Sequence, residues 1–427
     1  MPPRELRVLH LNTEPTWRGG EQQLLYLLDG LARRGVPSVL VAQPGSPMAE
    51  RARARGHDVR ELRMRGEADP RAVLALAKRI QRERFGIVHA HTSHAHTLGA
   101  VAAALLGPRR RPRVIVARRV DFSIFRRSFF GLNGLKYLHG VDGYVTVSEA
   151  IRRVLIADGV PAERIRCVHS GIDLARIEEA PERTAALRAE LDVPDGHALV
   201  MNVAHLADHK GQRYLIEAAP AVLAARPETT FAIVGQGELR DELEALARAL
   251  GVWERFRFPG FREDVPALLK ACDLFVMPSH MEGLGTSVLD AMAARAPVVG
   301  TEAGGMPEAI VEGETGRVCP VRDSGALAAA ILELLSDPAR ARRMGDAGWR
   351  RVHERFSNDA MVEGTLAVYR WQLGLGPDPA ADPATAPEVS VDAPVHGDRG
   401  EPRDGAGRGA GPRDAGDAVA DRAEARR

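Results

Sequence analysis

The stretch from Ser279 to Gly305 has the residue types and spacing of an anion-binding turn. Leu274 to Met277 is an apolar run that reads as a buried strand, and Pro278 ends it. A polar loop with Glu282, Gly283 and Gly285 follows, and Thr286 to Ala294 has the composition of a short helix. Free backbone N–H groups and a positive helix end therefore face the strand end, the place where a phosphate is attracted. Pro297 to Gly300 supplies another strand, and Gly304 and Gly305 let the next loop approach a ligand without a Cβ in the way. Glu282 and Asp290 flank the turn. Phosphates repel carboxylates, so these two suit the hydroxyls of a sugar or ribose. An ordinary βαβ connection, with glycines that only relieve crowding, has the same pattern.

Other strand ends carry candidate groups. Arg7 to Asn12 reads as the first strand, and Arg18-Gly19-Gly20 leads into a helix with Leu24, Leu25, Leu27, Leu28 and Leu31 on one face. Gly19 and Gly20 either border a ligand cleft or serve the turn alone. Ile87 to His91 reads as a strand ending in histidine, with His94 and His96 behind it. Alternation points His89 and His91 to one face, and without a Cys or carboxylate nearby no metal site is expected. His91 or His94 is placed at the strand's carboxyl end. Further on, Leu199 to Val203 leads to the loop His205 to Gly211, and Phe231 to Val234 leads to Gly235-Gln236-Gly237 and a helix, another cleft loop.

Length and composition bound the elements that hold these groups. A chain of 427 residues suggests two domains, and the charged, proline-punctuated stretch Glu178 to Ala198 marks their boundary. With 58 Lys and Arg against 57 Asp and Glu, no nucleic-acid partner is indicated. Cys167, Cys272 and Cys319 have no paired spacing, which argues against disulfides and zinc and for a cytoplasmic setting. No apolar run is long enough to span a membrane. From Arg118 to Lys136, Phe122, Ile124, Phe125, Phe129, Phe130, Leu132 and Leu135 interleave with Arg118, Arg119, Arg126, Arg127 and Lys136. That segment either meets an anionic membrane or an acceptor, or packs its Phe residues inward as a helix pair. From Gly374 onward the composition cannot bury enough apolar surface to order the chain, and disorder is expected.

Several motifs together carry a resemblance: Gly19-Gly20 after the first strand, HSGID at 169–173, HKG at 209–211, VGQGEL at 234–239, SHMEGLG at 279–285, APVVGTEAGGMPE at 296–308 and ETGRV at 314–318. In order and spacing the set resembles retaining glycosyltransferases of the GT-B architecture, family-4 type, over about residues 5 to 373. The implied fold is α/β, with two facing Rossmann-like domains, a cleft between them and a last helix crossing back to the first. The implied division is 1–175 for the acceptor-binding domain, 176–197 for a linker, 198–355 for the nucleotide-sugar domain, 356–373 for the crossing helix and 374–427 for the tail. The implied activity moves a sugar from a nucleotide-diphosphate donor to a cell-envelope, lipid or small-metabolite acceptor, with retention and without a metal or other cofactor. A sugar-nucleotide 2-epimerase shares the architecture, and a non-catalytic sugar-nucleotide-binding module would share the motifs.

Residue by residue, the resemblance assigns Lys210 to the diphosphate and Glu282 to the donor sugar, and His91, from its place at the end of its strand, joins them as a catalytic candidate. It gives the donor site Gly19, Gly20, Gly235, Gly237, Gly283, Leu284, Gly285 and Thr286. His205 stands where the family usually has an arginine, and Asp290 where it has a second glutamate. Arg118-Arg119 replace a histidine found in many relatives after the strand at 114–117, which suggests an anionic acceptor. Such an acceptor, if lipid-linked, would be met at the inner face of the cytoplasmic membrane.

Overall fold

Parallel strands buried on both faces need long crossovers, and the alternation of short apolar runs with amphipathic helices builds them here. The computed structural model describes residues 5–120, 123 and 136–381. Within them the first sheet contains β1 (Val8–Leu11), β2 (Ser38–Ala42), β3 (Asp58–Glu61), β4 (Ile87–Ala90), β5 (Arg113–Arg118), β6 (Gly143–Thr146) and β7 (Ile165–Cys167). The second contains β8 (Ala198–Val203), β9 (Thr229–Val234), β10 (Phe256–Gly260), β11 (Leu274–Val276), β12 (Val298–Thr301) and β13 (Arg317–Cys319). Their orders are β3-β2-β1-β4-β5-β6-β7 and β10-β9-β8-β11-β12-β13, with every pairing parallel. In each sheet the order reverses once, between β1 and β4 and between β8 and β11. Chains leave such a pair in opposite directions and open a crevice at the carboxyl ends. Both doubly wound sheets expected from the sequence are thus present.

One face of the first sheet packs Leu9, Val41, Val88 and Val114 against Leu76, Ile80 and Leu98 from its own helices. The other packs Val8, Ile87 and Ile115 against Leu27 and Leu31, and against Met361, Val362, Leu366 and Tyr369 from the last helix, Asn358–Leu373. That helix follows the second sheet in sequence and lies on the first, as expected. It starts where Ser357 Oγ accepts from the N–H of Ala360 at 3.1 Å and ends at Gly374 in the left-handed region. Close approach to the helix Gly19–Arg33 depends on Gly30, where a Cβ would lie 2.3 Å from Val362.

Two expectations need correction. The stretch taken as a linker is folded: helices Leu174–Glu178 and Thr184–Glu190 bury Ile177 and Leu187, and Leu191 and Val193 just after them join the same core as Leu199 and Leu268. Four apolar residues spaced among charges suffice to dock it. Disorder from Gly374 is also not met as far as Ala381. Arg166 pairs with Asp378, Nε to Oδ1 at 2.6 Å, and its guanidinium covers Trp371 at 4.1 Å. Residues 382–427, and the Phe- and Arg-rich stretch apart from Arg118, Arg119, Val120, Ser123 and Lys136, lie outside the described residues. Among those described, no helix is long and apolar enough to cross a membrane.

Candidate functional site

The crevice of the second sheet is assembled by two interlocked loops. The loop after β8 ends at Gly211, whose φ of +66° and whose would-be Cβ, 2.1 Å from the Pro278 carbonyl oxygen, leave room for glycine alone. His209 accepts the N–H of His280 at 3.0 Å, which ties this loop to the one after β11. Lys210 Nζ is thereby held 2.6 Å from Glu282 Oε2. Ser279 Oγ donates to the same oxygen at 3.3 Å, and the Gly283 N–H donates to Oε1 at 3.2 Å. Both ionic side chains are mostly buried, with 20% and 11% of their surface exposed. Immediately after, Gly285 enters the left-handed region (φ +85°) and starts the helix Thr286–Ala293, on whose first turn no described side chain forms a cap. Leu284 points into the core, so that only its backbone borders the turn.

Asp290, on the same helix, is not the equal of Glu282. Burial raises its pKa to about 6, Asp173 adds to the rise and Arg176 opposes it. The same charges act on Tyr26 of the helix Gly19–Arg33, which puts Asp290 on the side of the second half that looks toward the first. His205 lies at the rim. Its Nε2 is 3.3 Å from Glu238 Oε2, both side chains are more than half exposed, and it does not join the Lys210–Glu282 pair. Gly235 and Gly237 have a packing reason to be glycines: Cβ atoms there would stand 1.9 Å from the Ala204 oxygen and 2.3 Å from the Leu206 oxygen. They seat the 235–237 loop against the loop that carries His205 and Lys210.

In the first half, parallel register sets His10 beside His89, and His91 follows on the same face. His91 is buried, with Nε2 3.0 Å from His10 Nδ1 and Nδ1 3.3 Å from Arg119 Nη2. A guanidinium only donates. His91 Nδ1 must therefore accept, its proton sits on Nε2, and His10 Nδ1 accepts it. His89 Nδ1 meets the Tyr369 hydroxyl of the crossing helix at 2.5 Å. Burial depresses all three imidazoles, His10 to about 3 with the His57 charge acting the same way, and His89 and His91 well below their usual range with the neighbouring His and Arg119 charges adding to it. Each ring places one nitrogen within 4.8 Å of the others, a spacing that a metal could use. Arg119 beside His91 opposes a dication there, although His10 Nε2 and His89 Nε2 have no partner among the described residues. His94 is exposed.

Arg118 and Arg119 part company at the end of β5. Arg118 turns inward and donates to the Tyr137 hydroxyl at 2.9 Å, away from His91. Arg119 alone reaches the crevice. Its Cδ lies 3.7 Å from the position of a Cβ on Gly20, while among the described residues nothing comes within 4 Å of one on Gly19. The helix behind these glycines is fixed by Glu21, which accepts from the Arg18 N–H at 3.2 Å and from Asn12 Nδ2 at 3.0 Å.

Contact between the halves falls on the same loops. A Cβ on Gly283 would lie 2.6 Å from the Arg119 carbonyl oxygen, and one on Gly305 2.6 Å from Ser148 Cβ. Glu308 accepts from the N–H groups of Glu149 and Ala150, both at 2.8 Å, and from His169 Nε2 at 2.9 Å. Reasoning on the sequence gave Glu308 and His169 no role beyond their motifs. The two are 139 residues apart, and nothing in composition or periodicity pairs them.

Comparison with known proteins adds the family. The sequence matches the family described as glycosyl transferases group 1 over residues 184–351 and Glycosyltransferase Family 4 over residues 17–176. It is 28% identical, over 82% of this chain and 95% of the relative, to the lipopolysaccharide core biosynthesis glycosyltransferase LpsE of Rhizobium meliloti (strain 1021). It is 33% identical, over 58% of this chain and 69% of the relative, to a GDP-mannose-dependent alpha-(1-6)-phosphatidylinositol monomannoside mannosyltransferase of Mycolicibacterium smegmatis. In fold it is similar to Anabaena Alr3699/HepE in complex with UDP, with a TM-score of 0.76 and 22% identity over 85% of this chain and 99% of that one. Two doubly wound sheets, a returning helix and family matches across both halves lead to one conclusion: the chain belongs to the group 1 glycosyltransferases of GT-B architecture.

Proposed function

We propose that the protein transfers a hexose-like sugar from a nucleoside-diphosphate donor to a lipid-linked or small-molecule acceptor of the cell envelope, with retention and without a metal. The observation that carries this reading is the Lys210–Glu282 pair at the second crevice, next to an uncapped helix start. Departure of the diphosphate builds negative charge on the leaving oxygen, and fixed positive charge there lowers the barrier. Lys210 is that charge. When phosphate takes over the ammonium, the Glu282 carboxylate becomes an acceptor for sugar hydroxyls, so that one ion pair serves both ends of the donor. Asp290 holds ribose hydroxyls from the neighbouring turn of the helix, with the backbone of Gly283, Leu284, Gly285 and Thr286 along the phosphates. Arg119 and His91 line the opposite wall, and Arg119 meets the anionic part of the acceptor. Retention is supported by the motif set, whose family is of the retaining kind.

An envelope acceptor is supported by the relatives, one named for lipopolysaccharide core biosynthesis and another for a phosphatidylinositol mannoside. The first half offers a matching face. Leu74, Val101 and Leu105 are about half exposed on and beside the adjacent helices Pro70–Glu83 and Ser93–Ala104. Arg71, Lys78, Arg82 and Arg84 on and just after the first of these helices, and Arg109 and Arg110 just after the second, are exposed. Basic residues around exposed leucines suit an anionic bilayer, which would place the reaction at the inner face of the cytoplasmic membrane. Sedimentation with anionic liposomes at low salt tests the face, and no binding there removes it.

The donor is tested by thermal shift with UDP, GDP, ADP and their sugars, since a ligand bound by the native state alone raises its stability. Release of nucleoside diphosphate should then depend on an added acceptor. Release without acceptor points to a 2-epimerase, and binding with no release under any acceptor pool points to a non-catalytic module.

A further inference from the structure

Glu308 is a buried carboxylate of the second half with its donors in the first. It accepts the first free N–H groups of the helix Glu149–Ala157 and the imidazole N–H of His169, three hydrogen bonds of 2.8 to 2.9 Å. A charged acceptor on a helix start is among the stronger hydrogen-bond arrangements. Arg351 stiffens its backbone from behind, donating to the carbonyl oxygens of Glu308 at 2.8 Å and Ala309 at 3.0 Å. Helix Glu149–Ala157 already has its own cap, since Ser148 Oγ accepts the N–H of Ile151. The carboxylate is therefore an additional acceptor, supplied across the boundary between the halves. It also lies three residues after Gly305, which touches Ser148, and the Gly305 N–H points to the Glu282 carbonyl oxygen at 3.4 Å. The chain of contact runs from Glu149 through Glu308 and Gly305 to Glu282, the residue paired with Lys210.

We propose that Glu308 is a positioning residue for glycosyl transfer: by latching onto the Glu149–Ala157 helix and His169, it sets the approach of the Lys210–Glu282 wall to the His91–Arg119 wall. Donor diphosphate is held by the second half, whereas transfer needs both walls at a fixed separation. Loss of the latch therefore spares nucleotide binding and lowers turnover. The inference rests on the two-walled reading of the site given above.

Two variants of the full chain, Glu308→Ala and Glu308→Gln, test it beside the wild type. Whichever of UDP, GDP or ADP raises the wild-type Tm should bind Glu308→Ala with affinity within about threefold, while kcat falls on the order of 10- to 100-fold, the scale of a small misalignment of reacting groups. Glu308→Gln keeps one accepting oxygen and should recover part of the loss. Hydrogen exchange at the amides of Glu149 and Ala150 should speed up in both variants, and small-angle scattering of Glu308→Ala should show a larger radius of gyration. Faster exchange with wild-type kcat and an unchanged radius would reduce Glu308 to a local cap and overturn the proposal. If Glu308→Ala does not fold, His169→Phe keeps the ring and removes one of the three donors, and unchanged kcat, exchange and radius in that variant and in Glu308→Gln overturn it equally. Failure of the wild type to bind any of the three nucleotides speaks against the donor reading instead, and exchange and scattering then decide the latch.

Discussion

At the residue scale, the short bond between Lys210 and Glu282 sets what each substitution does. Lys210→Ala removes the charge that meets the leaving oxygen, and kcat should fall about 10²- to 10³-fold, the range for deleting one preorganised donor, with a smaller change in donor KM. Steady-state kinetics with the donor identified by thermal shift measures this, and an effect confined to KM would remove Lys210 from the chemistry. Asp290 gives a prediction with a definite sign. Its pKa is raised to about 6 from an ordinary value of 3.8, so the native state holds the proton more tightly than the unfolded one. The stabilising effect of the protonated carboxyl is fully present below pH 3.8 and is lost as pH rises through about 6. Asp290→Asn should therefore raise Tm at pH 7 to 8 relative to the wild type, and the gain should shrink as pH falls below about 6. The same variant should weaken donor binding at pH 7 to 8, where the ionised carboxylate accepts hydroxyls. Melts across pH and a donor titration read the two effects separately.

At the scale of elements, glycine marks where backbones touch. Gly30→Val brings new methyl groups against Val362, already 2.3 Å from a Cβ, and should destabilise the protein by about 1–3 kcal/mol in denaturant unfolding. Much at this scale was legible. Strand ends followed by Gly-containing loops located both crevices, and the leucines from 24 to 31 located the helix that the last helix covers. Alternation in β4 put His89 and His91 on one face, as found. The same alternation applied to β5 separates Arg118 from Arg119, and reading them as a pair missed it. What stayed hidden was contact over long sequence distance. The 176–197 stretch looks like a linker because its charges dominate its composition, yet Leu187, Leu191 and Val193 find a core contributed by later residues. His10, whose ring completes the pairing of His91, sits inside an otherwise apolar strand and gives no local sign of a partner.

At the scale of the molecule, the first half is incomplete without the end of the chain. Val8, Ile87 and Ile115 lie under Val362, Leu366 and Tyr369, and His89 bonds the Tyr369 hydroxyl. A fragment ending at residue 178 should therefore expose that face and aggregate or bind a hydrophobic dye, whereas coexpression with residues 179–381 should restore a soluble complex. Size-exclusion chromatography of the two preparations decides it, and a monodisperse, dye-negative fragment would show that the helix is dispensable to the first half.

The returning helix also has a history within each molecule. A ribosome that has released residue 178 has made every strand of the first sheet but not the helix that roofs one side of it. At ordinary synthesis rates, nearly 200 further residues take roughly 10–40 s. For that interval the face formed by Val8, Ile87 and Ile115 lacks its cover, and its last tertiary contacts form only when the second half has already emerged.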